Sequence, residues 1–273
     1  MIVDGRAIAL EILNETKTRV EALGRTSVVR AITANPSPAT LSYLRIKAAR
    51  ATDAGMRLEV VTLADDATYT HYEDAVLAPG ADAVIVQLPL PLGVDSEALV
   101  NTIPLSQDAD VLSMRATTAF QNQEPGAVLP PVVAAIAEVL SRTNTVVSGA
   151  RAVGVGQGKL VGKPAATWLE REGAQVTALT RESADRSALA EADIVVLGAG
   201  SPLMVQPEHI KEGVVLIDAG TSESGGQVVG DADPACAKKS AVFTPVPGGM
   251  GPIAVACLFR NVVTLLERPL QEE

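Results

Sequence analysis

The stretch RAVGVGQGKLVGKPAATWLEREGAQVTALT, residues 151–180, decides the fold. RAVGVG (151–156) reads as a buried strand, GKPAATWLEREG (162–173) as a helix and AQVTALT (174–180) as a second strand. Between strand and helix lies GQGKLVGKP (156–164), so that Gly154, Gly156, Gly158 and Gly162 crowd one turn. Glycines there permit a tight turn and let backbone N–H groups approach a pyrophosphate. The N-terminus of the helix that follows favours the anion. The spacing is not the standard G-x-G-x-x-G. What points to a nucleotide is the position of the loop at the head of a fresh β-α-β-α-β series.

The alternation continues downstream. SALAEA (187–192) reads as a helical turn, DIVVLGAG (193–200) as a strand, PEHIKEG (207–213) as a turn of helix and VVLIDAG (214–220) as a strand. Ligands bind at the carboxyl ends of strands in open α/β sheets, so the loops LGAGSP (197–202), DAGT (218–221) and PVPGGMGP (245–252) are candidates. The three prolines and three glycines of the last can form a rigid backbone wall close to a flat ring, or simply a domain-crossing turn. After the 174–180 strand come Thr180, Arg181, Glu182 and Ser183. Arg181 and Ser183 can bind a ribose 2′-phosphate, which favours NADP. Glu182 can bind a free ribose, which leaves NAD possible.

Upstream, Asp4 can cap a helix through Leu23. SVVRAIT (27–33), RLEVVTL (57–63) and AVIVQLPL (83–90) read as strands, with helices over 40–54 and 67–77 between them. Residues 111–130 read as irregular. Pro130 and Pro131 open a helix through about Leu140, and the last helix runs from about Ile253 to Glu267. The expected fold class is α/β: two α/β domains with a cleft between them, the second Rossmann-like, and the C-terminal helix packing back on the first. The domains expected are 1–120 plus 252–273, and 121–251.

Composition narrows the function. Apolar residues make up 47% of the 273, enough for a sizeable core. A net charge of -10 disfavours nucleic acid, which needs a basic face. No basic n-region with a long apolar run opens the chain, and no run is long enough for a membrane span. With only Cys236 and Cys257, neither a disulfide framework nor a Cys-rich metal site is expected. His71 and His209 are too few for a His-based zinc site and read as surface residues. No metal is expected, and these features point to the cytoplasm.

VQLPLP (86–91), VGKP (161–164) and TPVPGGMGP (244–252) stand in the order of known signatures, with DGRAIA (4–9) and Gly230-Asp231 in agreement. On these motifs the chain resembles the bifunctional methylenetetrahydrofolate dehydrogenase/cyclohydrolase (FolD) family, from about Val3 to Asn261. Tyr43 and Lys47 in SYLRIK match the family's Tyr-x-x-x-Lys, a spacing that puts both on one helical face. Gln87 matches its glutamine. A polar side chain in an apolar strand needs a hydrogen-bond partner if buried, which makes Gln87 a natural partner for Lys47. Asp110 matches the family's folate-binding aspartate.

The resemblance implies oxidation of 5,10-methylenetetrahydrofolate with NADP and hydrolysis of the product to 10-formyltetrahydrofolate. Folate would lie between the domains, with Tyr43 stacking on its rings and Asp110 accepting from the pterin amino group. Leu88, Pro89 and Pro252 would line its site. Hydride would pass to a nicotinamide held against Pro247, Gly248 and Gly249. Lys47 would handle the proton or polarise the water in the hydrolytic step, oriented by Gln87. The cofactor would lie on Gly156, Gln157, Gly158, Val161, Gly162, Lys163, Gly198, Ala199, Gly220 and Thr221, with Arg181 and Ser183 at its 2′-phosphate. A homodimer through the nucleotide domain is also implied.

The sequence departs from the family in places. The usual Lys-Asp-Val-Asp-Gly reads Gln107-Asp108-Ala109-Asp110-Val111, which puts a branched side chain where glycine is usual. The usual motif with His, Pro and Asn is absent from LSMRATTAF (112–120). Thr-Pro is replaced by Pro130-Pro131, and Arg-Ser in the nucleotide loop by Gln157-Gly158. An altered 107–115 loop leaves room for a monofunctional dehydrogenase. A non-catalytic folate or nucleotide binder is the alternative from another class.

Overall fold

The computed structural model describes residues 1–183, 186–224 and 227–268. They divide into two compact units: Leu10–Pro131 with Val255–Glu273, and Met1–Ala9 with Val132–Ala254.

The Leu10–Pro131 unit carries a three-stranded parallel sheet. Its strands are β1 (Ser27–Ala34), β2 (Met56–Leu63) and β3 (Ala83–Val86), in the order β2-β1-β3. All four residues of β3 are buried, and Ala31 and Ile32 of β1 are fully buried, the near-continuous burial that parallel strands require. Helix α1 (Gly5–Ala22) starts at Asp4, whose carboxylate accepts from the N–H groups of Arg6 and Ala7. Helix α2 (Pro38–Asp53) starts at Ser37, whose hydroxyl accepts from Thr40 N–H, with Pro38 in its first turn. Helix α3 (Tyr69–Leu77) buries Tyr72 and Val76 against Ile32, Val84 and Leu99. Helices α4 (Ser96–Val100) and α5 (Met114–Gln121) follow β3.

The other unit holds a five-stranded parallel sheet. After α6 (Pro131–Arg142) come β4 (Arg151–Val155), α7 (Gly162–Arg171), β5 (Gln175–Leu179), β6 (Ile194–Leu197), β7 (Val214–Asp218), the antiparallel pair β8 (Ser222–Ser224) and β9 (Gln227–Val229), and β10 (Ser240–Phe243). The sheet order is β10-β7-β6-β4-β5. Its core includes Val153, Val195, Leu197, Val205, Leu216 and Phe243. The order reverses direction beside β4, so the loop after β4 sits at a topological switch point, where open α/β sheets take their ligands. Helix α8 (Met250–Leu266) contributes its Val255-onward part to the Leu10–Pro131 unit. There the Asn261 amide donates to the carbonyls of Ala109 and Leu129, and Arg19 pairs with Glu267.

Three features differ from the reading of the sequence. Residues 114–121 form a helix inside the stretch read as irregular, because Ser113 caps it and Ala116, Ala119 and Phe120 are buried at helical spacing. The apolar run 83–90 stops pairing early. Gln87 donates one last backbone bond to Ile32, and the prolines at 89 and 91 supply no donor beyond it. Met1–Ala9 sits with the five-stranded sheet rather than with residues 10–120, because Val3 N–H donates to Phe243 and Phe243 N–H donates to Met1 along the β10 edge.

Candidate active site and nucleotide loops

In the Leu10–Pro131 unit, four sequence-predicted residues come from three places in the chain. Tyr43 and Lys47 lie one helical turn apart on α2, Gln87 directly follows β3, and Asp110 lies in the loop before α5. The Lys47 ammonium donates to Gln87 Oε1 at 3.0 Å. The Gln87 amide nitrogen donates to the Leu88 carbonyl at 3.1 Å, which fixes which end of the amide faces Lys47. Tyr43 is 48% exposed, so its ring is free to cover a flat ligand. Asp110 feels the same lysine. Burial pushes its carboxyl above the usual carboxylate range, the Lys47 charge pulls it back, and Asp108 adds to the rise.

The 107–115 loop is held from within. Asp108 is buried, and its carboxylate accepts from Leu112 N–H at 3.0 Å and Ser113 N–H at 2.8 Å. Asn261 holds the Ala109 carbonyl at 2.9 Å. Val111 takes the left-handed conformation, φ 56°, that glycine adopts freely and a β-branched residue adopts at a cost. The valine therefore accepts strain and does not unwind the turn. Its side chain is 7% exposed, so the loop gains an apolar contact in exchange.

In the other unit, the glycines after β4 pack against neighbouring backbone. Gly156 has φ 95°, and a Cβ added there would stand 2.5 Å from the Gly198 carbonyl. One added at Gly162 would stand 1.7 Å from the Gly156 carbonyl, and one at Gly198 would meet the Val161 side chain at 2.4 Å. Gly158 faces open space instead. No side chain caps the first turn of α7, so this helix start has no internal anion. A shaped glycine wall, open space at Gly158 and an uncapped ten-residue helix fit a dinucleotide pyrophosphate. Lys163 in that first turn is exposed.

At the strand ends, Arg181 pairs with Glu182 at 3.1 Å on the surface, and the Ser183 hydroxyl accepts from Thr180 N–H at 3.0 Å. Both proposed phosphate readers already have partners within their own turn. Arg186, which sequence reasoning did not single out, lines a cavity of about 550 Å³ with Ser183, Ser187 and His209. Gly220 and Thr221 follow β7. The PVPGG segment turns back on itself, with Gly249 N–H donating to Pro245 at 2.8 Å. Gly5 packs on this turn so closely that an added Cβ would stand 1.9 Å from the Gly249 carbonyl.

In this unit the sequence reading left two buried carboxylates, Asp218 and Asp231, without roles. Asp218 accepts from Gly220 N–H and Ala232 N–H, and burial pushes it up to about 6. Asp231 accepts from Ala199, Gly200 and Ser201 N–H groups. The adjacent Gly230-Asp231 and the strand-ending Asp218 were visible signals, but nothing in the sequence shows which amides they meet. Among the described residues, no group of three or more His, Cys, Asp or Glu is placed to hold a metal, and no helix is long and apolar enough to cross a membrane.

Comparison with known proteins identifies the family. Residues 3–110 match the tetrahydrofolate dehydrogenase/cyclohydrolase catalytic domain, and residues 130–270 match the NAD(P)-binding domain of the same family. The bifunctional protein FolD of Halothermothrix orenii is 34% identical, over 96% of this chain and 96% of its own. The FolD methylenetetrahydrofolate dehydrogenase/cyclohydrolase of Campylobacter jejuni superposes with a TM-score of 0.93 at 28% identity, covering 97% of this chain and 98% of that one. The Trypanosoma brucei FolD structure, complexed with NADP cofactor and an inhibitor, gives a TM-score of 0.92 at 31% identity, covering 98% and 97%. The chain belongs to the tetrahydrofolate dehydrogenase/cyclohydrolase family.

Proposed function

We propose that this protein oxidises 5,10-methylenetetrahydrofolate to the 5,10-methenyl form with NADP and hydrolyses that product to 10-formyltetrahydrofolate. The observation that carries the reading is the bond from Lys47 Nζ to Gln87 Oε1 at 3.0 Å, next to an Asp110 that responds to the same lysine. NADP, when bound, supplies the acceptor for the hydride that leaves the methylene carbon. Gly156, Gly158, Gly162 and the first turn of α7 would hold its pyrophosphate. Tyr43 covers the folate rings, and Asp110 accepts from the pterin amino group. In the second step water adds to the cationic methenyl carbon and loses one proton. The bond from that carbon to one of its two nitrogens then breaks, the remaining hydroxyl proton passing to the departing nitrogen as the formyl C=O forms. Lys47 handles the first of these protons or polarises the water, and Gln87 holds the ammonium in place. A homodimer through the nucleotide unit and a cytoplasmic location go with this reading. Sedimentation of the purified chain tests the first.

The test of function is turnover of 5,10-methylenetetrahydrofolate with NADP and, separately, with NAD, with methenyl and formyl products resolved. Formyl product with NADP supports the proposal. Turnover with NAD alone keeps the enzyme and overturns the cofactor. Methenyl product that hydrolyses no faster than in buffer makes this a monofunctional dehydrogenase. Folate binding without turnover makes it a binder.

A further inference from the structure

Asp231 lies just beyond β9 and is fully buried. One of its oxygens accepts from Ala199 N–H at 2.7 Å and Gly200 N–H at 3.1 Å, and the other accepts from Ser201 N–H at 2.7 Å. Three successive amides after β6 therefore converge on one carboxylate, an arrangement of charge-assisted bonds. Gly220 packs closely against that carboxylate, since an added Cβ would stand 2.2 Å from its carbon and 2.3 Å from an oxygen.

A planar trans peptide points its carbonyl opposite to its N–H. Drawing the Ala199 N–H toward Asp231 therefore sends the Gly198 carbonyl the other way, and Gly156 packs against that carbonyl. The same peptide sets Gly198 against Val161 at the head of α7. One buried carboxylate thus fixes the loops after β6 and β7, and through Gly198 the seat of the loop after β4. Asp218 secures the carboxylate in turn, holding Gly220 N–H on one oxygen and Ala232 N–H on the other.

We propose that Asp231 is a positioning residue for the dinucleotide: it presets the main chain of the three loops that receive the cofactor and touches no reacting atom. This rests on the nucleotide reading given above. Asp231→Asn keeps the size of the side chain and replaces one acceptor with a donor that opposes an N–H.

The test titrates NADP into full-length wild type and Asp231→Asn by calorimetry. In parallel it follows hydrolysis of 5,10-methenyltetrahydrofolate without nucleotide. The expected result is an NADP dissociation constant raised about tenfold or more, with hydrolysis unchanged. An unchanged dissociation constant overturns the proposal, and so does a loss of hydrolysis in step with NADP binding, which is the mark of general misfolding. If the variant does not fold, amide hydrogen exchange of the wild type decides. The Ala199, Gly200 and Ser201 amides are expected to be protected before NADP is added. Protection that appears only with NADP overturns the proposal. Wild type that binds NADP without turning it over defeats the functional reading and leaves this one standing. Wild type that binds neither NADP nor NAD defeats both.

Discussion

Lys47 on α2 and Gln87 beyond β3, 40 positions apart, meet at 3.0 Å. The glutamine is itself fixed by its bond to the Leu88 carbonyl, so the lysine is held at a set point and does not sweep through solvent. Lys47→Met should lower hydrolysis of the methenyl compound by about 10²–10⁴-fold, the usual contribution of a positioned proton-transfer group. Gln87→Ala should keep the ammonium but lose its position, lowering hydrolysis by about tenfold, in line with one hydrogen bond to a charged group. Hydrolysis that survives Lys47→Met removes the lysine from the mechanism.

Val111 accepts φ 56° in a buried loop. A left-handed conformation costs an L-residue other than glycine about 1–2 kcal/mol. Val111→Gly should relieve that strain while losing the burial of the side chain. Val84→Gly, at a fully buried position in β3, loses burial with no strain to relieve. The first change should therefore cost about 1–2 kcal/mol less than the second in urea unfolding. Equal costs would show that the turn is unstrained.

Gly162 opens α7, where helix propensity alone favours alanine by about 0.5–1 kcal/mol. Its position reverses the sign, because the added carbon would stand 1.7 Å from the Gly156 carbonyl. Gly162→Ala should lower stability by about 1–3 kcal/mol, the usual cost of overpacking, and weaken NADP binding. Gly251→Ala, in α8 with nothing within 4 Å of the added carbon, should raise stability by about 0.5–1 kcal/mol. A thermal scan of both variants reads the contrast, and a stabilised Gly162→Ala would refute the close packing.

Asp218 carries the clearest pH signature. Its folded-state value, about 6, lies above its ordinary 3.8, because burial penalises the charged form more than its two N–H donors favour it. The folded protein therefore holds this proton more tightly than the unfolded chain. The resulting stability is fully present below about pH 4 and is lost as pH rises through 6. Measured against Asp218→Asn, wild type should gain on the order of 2 kcal/mol between pH 7.5 and pH 4. Chemical denaturation at the two values checks this, and a gain in the opposite direction would mean the buried carboxylate stays charged.

Much of the fold was legible because parallel strands buried on both faces must be apolar runs. The runs at 27–33, 83–90, 151–156, 193–200 and 214–220 announced strands in that way, whereas 57–63 and 174–180 became the edge strands β2 and β5, which bury little and were legible by their β-branched residues. Strand β10 did not, since SAVF is a short run with no long helix before it. Helix α5 was hidden by its polar, threonine-rich face, and only burial of Ala116, Ala119 and Phe120 reveals it. The candidate residues Tyr43, Lys47, Gln87 and Asp110 were legible through motifs.

The sequence by itself determined the α/β class, the glycine-rich turn and the residue types of the site, because periodicity, turn chemistry and motif order are properties of neighbouring residues. Tertiary structure alone decided what those residues meet. It brought Lys47 to Gln87 and turned Asp231 onto three amides after β6. It also set the order β10-β7-β6-β4-β5, which brings Gly198 beside Gly156. The physical reason is that a buried polar group takes whatever partner the packing of distant segments brings within hydrogen-bond reach, and that partner is not encoded next to it in the chain.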